Sequence, residues 1–294
     1  MLWLVTIMRR ASGLVQARPT VAFVVLAFAF SWGAWLPLLG AVQGWIPMEP
    51  RSGLHLVGGL GPAAAAVLVL SLTQGQMGLL RLGRQLVAWR GQRLAWAFAV
   101  LVPPLLLFVA APASAWLGDG PRDGLSWSAF GTSTEFSSLP LGVWWIVNLV
   151  CYGFGEEVGW RGFLQPRLQR RHSVVTSAGL VSLPWAAWHL PLFGITPSYR
   201  AMPLVGLVGF AASIWIASVI FAWLLHVGHG SLLIVVVFHA WFDIVTTSPL
   251  GPPALPTMMG AAITLLGLLL LGGMLRQSHL EKLHESGEPH PAPT

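Results

Sequence analysis

Charged residues are scarce in this sequence. Asp, Glu, Lys and Arg make up 9% of its 294 residues, against 55% hydrophobic residues. Soluble domains carry roughly 25% charged residues. A chain this poor in charge cannot cover a water-facing surface, so an ordinary soluble domain is excluded and lipid becomes the main solvent. Cysteine is nearly absent: Cys151 stands alone, which excludes an intrachain disulfide framework and any cysteine-built zinc site. Acid is outnumbered by base, ten residues against sixteen, and the sequence pI is about 11.0. The basic residues do not cluster as a nucleic-acid site. They read as loop charge facing an anionic membrane surface, so lipid is the expected partner and nucleic acid is not.

Long apolar runs fill the rest. Eight stretches stand out, at roughly 20–41, 54–73, 94–117, 139–160, 173–194, 202–225, 231–247 and 256–275, each about the length that crosses a bilayer as a helix. Continuous apolar runs of this length satisfy their own backbone only as helices, since barrel strands would alternate over about 10 residues. The expected fold is therefore all-α: a polytopic bundle of about eight transmembrane helices in one domain, residues 1–275. Residues 276–294 read as a disordered polar cytoplasmic tail. The first apolar run has no convincing cleavage site after it and reads as an uncleaved first helix.

Arginine distribution sets the orientation. Eight spans put both termini on one side, and thirteen Arg/Lys residues fall there, among them Arg81, Arg84, Arg161, Arg167, Arg170, Arg171 and Arg276. The other side holds Arg51, Arg122 and Arg200. By the positive-inside rule both termini are cytoplasmic, in a multi-pass protein of the cell membrane.

Against this apolar background a few ionisable residues are out of place. Glu156, Glu157, His189, His239 and Asp243 lie within or at the edge of apolar spans. Charged groups there cost at least about 2.5–3.5 kcal/mol each on insertion scales, so a shared internal polar site is the default reading. Glu157 and Arg161 are i and i+4 with the acid first, the better order for an ion pair. Glu156 points about 100° away and is left for chemistry. His239 and Asp243 repeat the i,i+4 spacing, so a carboxylate can hold one tautomer of the imidazole. Trp185 and His189 repeat it again, with the indole as an aromatic wall for the ring. Trp160 and Trp188 flank the motifs and are candidates for shaping the pocket. Gly155, Gly159 and Gly162 give the fourth span a small-residue face for close approach.

Depth poses a difficulty. A fourth span ending at Trp160 puts Glu156 far from His189. The two meet if the fourth helix runs on through Leu164 and Leu168, or if the fifth starts near Ser177.

Three motifs carry a family resemblance. They are GFGEEVGWRGFLQPRL at 153–168, LPWAAWHLPLF at 183–193 and VVVFHAWFD at 235–243, containing Glu-Glu-x-x-x-Arg, Trp-x-x-x-His and His-x-x-x-Asp. Over residues 150–245 this order and spacing resembles the CPBP family of intramembrane proteases, also called the type II CAAX prenyl endopeptidase or Abi family. The resemblance implies peptide-bond hydrolysis inside the membrane, near the cytoplasmic side, on a membrane-associated peptide or protein. It implies Glu156 as the general base, His189 as a holder of the water, His239 and Asp243 as the oxyanion pocket, and Glu157 with Arg161 as orienting residues. Two positions depart from the pattern: Trp185 stands where Phe is commoner, and Asp243 where Asn is common. An ionised Asp is a poor oxyanion donor, so Asp243 would act protonated, bound to metal, or by orienting His239.

Two mechanisms fit these residues. In one, Glu156 and His189 activate water with no cofactor. In the other, Glu156, His189 and His239 hold a zinc-like ion whose bound water attacks. Other intramembrane protease signatures are missing, including His-Glu-x-x-His and Gly-x-Ser-Gly. Two alternatives use the same residues differently: a non-catalytic membrane protein that sequesters a peptide, and a proton-coupled transporter. The transporter lacks an inverted repeat in its favour. Oligomeric state leaves no mark on the sequence.

Overall fold

All eight apolar stretches form helices in the computed structural model, which describes residues 13–49, 53–89, 93–117, 125–251 and 254–286. The first is α1, Pro19–Val42, with proline at its first turn, where a missing N–H costs nothing. The second divides into α2, Leu54–Gly59, and α3, Gly61–Leu86, so it runs well past residue 73. Next comes α4, Arg93–Leu117. The fourth stretch, α5, is a continuous helical run over 141–168. After it come α6, Val174–Trp188, the short α7, Pro197–Arg200, and α8, Leu204–Val227. The last two are α9, Leu232–Thr247, and α10, Leu255–Ser286. No strand occurs among the described residues.

Five of these segments are long and apolar enough to cross a membrane: Pro19–Val42, Leu54–Leu86, Arg93–Trp116, Leu204–Val227 and Leu255–Gln277. The protein is thus a polytopic helical bundle. At 1.5 Å per residue, the 15 residues of α6 and the 16 of α9 reach roughly 22–24 Å, short of a hydrocarbon core of about 30 Å. These two short helices carry His189 just past an end and Asp243 near one.

The fourth helix resolves the depth problem. It runs on through Leu164 to Leu168, as one of the two expected routes required. It does so through two π-helical turns, Leu149–Phe154 and Trp160–Leu164, on either side of the short α-turn Gly155–Gly159 that holds both glutamates. π-turns widen a helix locally and are frequent at functional sites. The other route is corrected: α6 starts at Val174 rather than near Ser177, because the Ser173 side chain accepts from the Thr176 N–H and caps it, an ordinary N-cap bond.

Glycine brings α5 to the centre. A Cβ on Gly155 would lie 2.5 Å from the Gly59 carbonyl oxygen, and one on Gly159 would lie 2.5 Å from Pro62 Cβ. The small-residue face therefore seats α5 on the junction of α2 and α3. On another side, Gly153 lets the Val236 backbone of α9 approach. Helices consequently surround the middle of α5, and Glu156 and Glu157 are both buried although they point about 100° apart.

The expectation for the tail needs correction. The last helix continues to Ser286 rather than ending at 275, because Gln, Leu, Glu and Lys beyond Arg276 are themselves good helix formers. Residues 287–294, like residues 1–12, lie outside the described residues.

Candidate active site

The fully buried side chains include a guanidinium. Arg161 is 0% exposed, as is Glu157. A buried charge must be paired and hydrogen-bonded. Arg161 Nη1 donates to Glu157 Oε1 over 3.2 Å, one turn back along α5. The guanidinium also lies over two rings, 4.2 Å from the centroid of Trp185 and 4.6 Å from that of Phe221. Cation–π attraction is strongest where the cation is desolvated.

Glu157 serves a second partner. Its Oε1 also meets His239 Nδ1 at 2.8 Å, joining α5 to α9. On its other side His239 Nε2 lies 3.5 Å from Asp243 Oδ2. The imidazole is thus held between two carboxylates, and when protonated on both nitrogens it donates both ways. Phe221 packs on the same ring at 5.1 Å.

The other glutamate has a different partner. Trp185, reaching from α6, donates its indole N–H to Glu156 Oε2 over 2.6 Å. Trp185 also fixes His189: its backbone carbonyl is 2.8 Å from His189 Nδ1. A carbonyl can only accept, so Nδ1 carries the proton and Nε2 presents its lone pair. One residue therefore positions both groups expected to handle water. Trp185 was read as a wall for the imidazole alone. Its ring does lie 6.1 Å from that of His189, and its side chain serves Glu156 as well.

Around His189 other rings complete the aromatic wall. Trp188 packs edge-on at 4.8 Å and Phe210 of α8 at 5.3 Å. Tyr199 of α7 stands 6.4 Å away. Trp160 meets Trp188 at 6.1 Å and Phe23 at 5.5 Å, so it supports the wall from behind. Burial holds the Tyr199 phenol above its ordinary range, and the Glu156 and Asp243 carboxylates push the same way.

The site is graded in exposure. Glu156, His189 and His239 are buried, whereas the Asp243 side chain is 28% exposed. Asp243 is thus the open edge of the cluster. Beyond it lies a cluster that sequence reading passed over. His55 Nε2 is 3.3 Å from the Tyr152 hydroxyl, and His55 Nδ1 is 3.3 Å from Glu135 Oε1. The one signal for Tyr152 was its position four residues before Glu156, one turn away on the same helix.

The donor set was tested for a metal. Among the described residues, no three His, Cys, Asp or Glu side chains come together as a group able to hold an ion. Glu156, His189 and His239 meet Trp185, the Trp185 carbonyl and Glu157 through Oε2, Nδ1 and Nδ1 respectively. Glu156, His189 and His239 do not stand together as the ligand set that the zinc reading requires.

Residues 138–245, the stretch holding all three motifs, match the family model of Rce1-like type II CAAX prenyl endopeptidases. A protein of Methanococcus maripaludis called CAAX prenyl protease 2 is 30% identical over 88 residues, covering 29% of this chain. The match spans about a third (32%) of that relative's length. Residues 138–245, with their motif order and the paired Glu157–Arg161, are thus similar to the Rce1-like type II CAAX prenyl endopeptidase family.

Proposed function

We propose that this protein is an intramembrane endopeptidase that hydrolyses a peptide bond in a membrane-associated peptide or protein. One observation carries the reading: a single residue, Trp185, holds Glu156 by its side chain and His189 by its backbone. That arrangement leaves Glu156 Oε1 and His189 Nε2 for a shared water. Glu156 takes a proton from that water, His189 accepts its second hydrogen bond, and the hydroxide attacks the scissile carbonyl. Proton transfer at the attacking atom contributes typically about 10²–10⁴-fold.

The oxyanion that forms lies beside His239. Glu157 accepts from Nδ1–H of that ring, and as an imidazolium the ring also donates Nε2–H to the developing charge. Arg161 balances Glu157, which would otherwise be a lone buried carboxylate. Glu156 then returns its proton to the leaving amine. Asp243 sits on the outer side of His239 and orients it.

The experiment is a panel of quenched fluorescent peptides given to the purified, detergent-solubilised chain, with His189→Ala beside it and chelator in half of the wells. Cleavage that survives chelation and drops at least about 10²-fold in His189→Ala supports a metal-free mechanism. Cleavage lost on chelation and restored by zinc would overturn it. A folded wild type that binds peptides but cleaves none would favour sequestration.

A further inference from the structure

Aromatic rings crowd the end of α6. The imidazole of His189 packs on Trp188 at 4.8 Å, on Phe210 at 5.3 Å and on Tyr199 at 6.4 Å. Beside it Phe193, Tyr199 and Phe210 close a triangle, with 4.9 Å from Phe193 to Tyr199, 5.2 Å from Phe193 to Phe210 and 5.5 Å from Tyr199 to Phe210. Under these rings His189 is 7% exposed. The open edge of the site lies at Asp243, against His239. A peptide carbonyl that reaches His189 therefore needs part of this cover to move.

The covering groups differ in how firmly they are held. Trp188 is buried, its carbonyl accepts from Trp32 Nε1 over 3.0 Å, and its ring packs on Trp35 at 4.6 Å. Phe210 belongs to the long apolar α8, which Ser218 ties to the Ala178 carbonyl of α6 over 2.7 Å. Tyr199 sits instead on α7, a helix of four residues whose Pro197, Ser198 and Arg200 are exposed. The backbone bonds here are local: Ala201 N–H donates to the Pro197 carbonyl and Met202 N–H to that of Tyr199. On one side the chain is anchored up to Thr196, by Gln43 Nε2 on the Gly194 carbonyl over 3.0 Å and by burial of Ile195 and Thr196. On the other side α8 begins at Leu204. Segment 197–203, with a proline at each end, is thus free to lift while the bond to α1 and the turns of α8 stay intact. Exposure and local backbone bonding mark a segment that opens at low cost, and loops that close over reaction sites move in this way.

We propose, building on the peptidase reading, that segment 197–203 gates this site and that the Tyr199 ring is its latch. Closed, Tyr199 packs on Phe193 and Phe210 and covers His189. Open, it uncovers His189 to the incoming peptide.

Diethyl pyrocarbonate acylates an accessible neutral imidazole, and mass mapping of the purified full chain reads each histidine separately. The rate at His189 is compared in wild type, Tyr199→Ala, Phe193→Ala and Tyr199→Phe. Loss of two aromatic pairs favours the open form about 10–100-fold, so Tyr199→Ala is expected to label His189 faster by that factor. Phe193→Ala removes one of the two rings that hold Tyr199 and is expected to give a smaller acceleration. Tyr199→Phe keeps the rings and is expected to label at the wild-type rate. A site open for only a fraction of the time binds more weakly by that fraction, so on a cleaved peptide KM is expected to fall in both alanine variants as labelling rises. Unchanged labelling in both overturns the gate. So does an equal acceleration at His55, also 7% exposed but packed against Phe136 and Tyr152, because that reports general loosening. Faster labelling with KM unchanged overturns the link to substrate entry. If Tyr199→Ala does not fold, Phe193→Ala decides by the same readout. A wild type that cleaves no peptide sinks the peptidase reading, whereas the gate stands or falls on labelling, so the two failures are told apart.

Discussion

Trp185 and Glu156 lie 29 residues apart in sequence, yet the indole N–H of one meets the carboxylate of the other at 2.6 Å. That bond ties α6 to the short α-turn in the middle of α5 and occupies one oxygen of Glu156. Trp185→Phe removes the donor and keeps an aromatic ring, the residue commoner in the family the sequence resembles. A hydrogen bond to a charged group is worth about 1.5–3 kcal/mol. Trp185→Phe is therefore expected to lower kcat/KM about 10–100-fold with little change in unfolding temperature, read from initial rates and a melting curve. An unchanged rate would mean that Glu156 is oriented by something else.

Glu157 predicts a stability effect instead. It pairs with a fully buried Arg161 and fixes His239. Removing one member of a buried pair costs about 3–5 kcal/mol, because the other is left as an uncompensated charge. Glu157→Gln is expected to lower the unfolding midpoint in detergent sharply. Adding Arg161→Met, which removes the stranded charge, is expected to recover part of the loss. A double variant worse than the single one would contradict the pairing.

The close seat of α5 gives a third expectation. Gly159→Ala would press a methyl group into Pro62. Overpacking a closely fitted site costs about 1–3 kcal/mol, and here it also moves the glutamates relative to α6. Stability and activity should fall together in Gly159→Ala. Gly142→Ala, where a Cβ meets nothing within 4 Å, should change neither.

Sidedness provides a fourth. The resemblance implied a site near the cytoplasmic face, and the arginine bias implied cytoplasmic termini. In this structure the two expectations conflict. His189 and Asp243 lie toward the far ends of α6 and α9, away from the arginine-rich loop before Ser173, and Tyr199 of the opposite loop packs toward His189. Charge bias in short loops has the firmer physical basis, so substrate is expected to reach the site from the arginine-poor side. In a Cys151→Ser background, Ser198→Cys should react with an impermeant maleimide in intact cells, and Gln169→Cys only after permeabilisation. The reverse labelling would place the arginines outside.

The sequence revealed the site where partners are one helical turn apart. Glu157 with Arg161, and His239 with Asp243, follow from helical spacing alone. The bonds that join helices did not follow, because spacing says nothing about partners 29 or 82 residues away. The apolar pattern around Glu156 gave no hint of the π-turns, since a wider turn buries the same residues. His55 and Glu135 were overlooked because each reads alone as an interfacial or loop residue, and only the fold brings them to Tyr152.

The central claim is that Glu156 activates the water that cuts a peptide bond, and product analysis tests it most directly. One cleaved peptide is incubated with purified wild type and with Glu156→Gln, an isostere that keeps the shape and cannot take the proton, and the fragments are weighed by mass spectrometry. The expected result is two fragments whose masses sum to the peptide plus one water from the wild type, and intact but still bound peptide from Glu156→Gln. Fragments from Glu156→Gln at the wild-type rate would contradict the account.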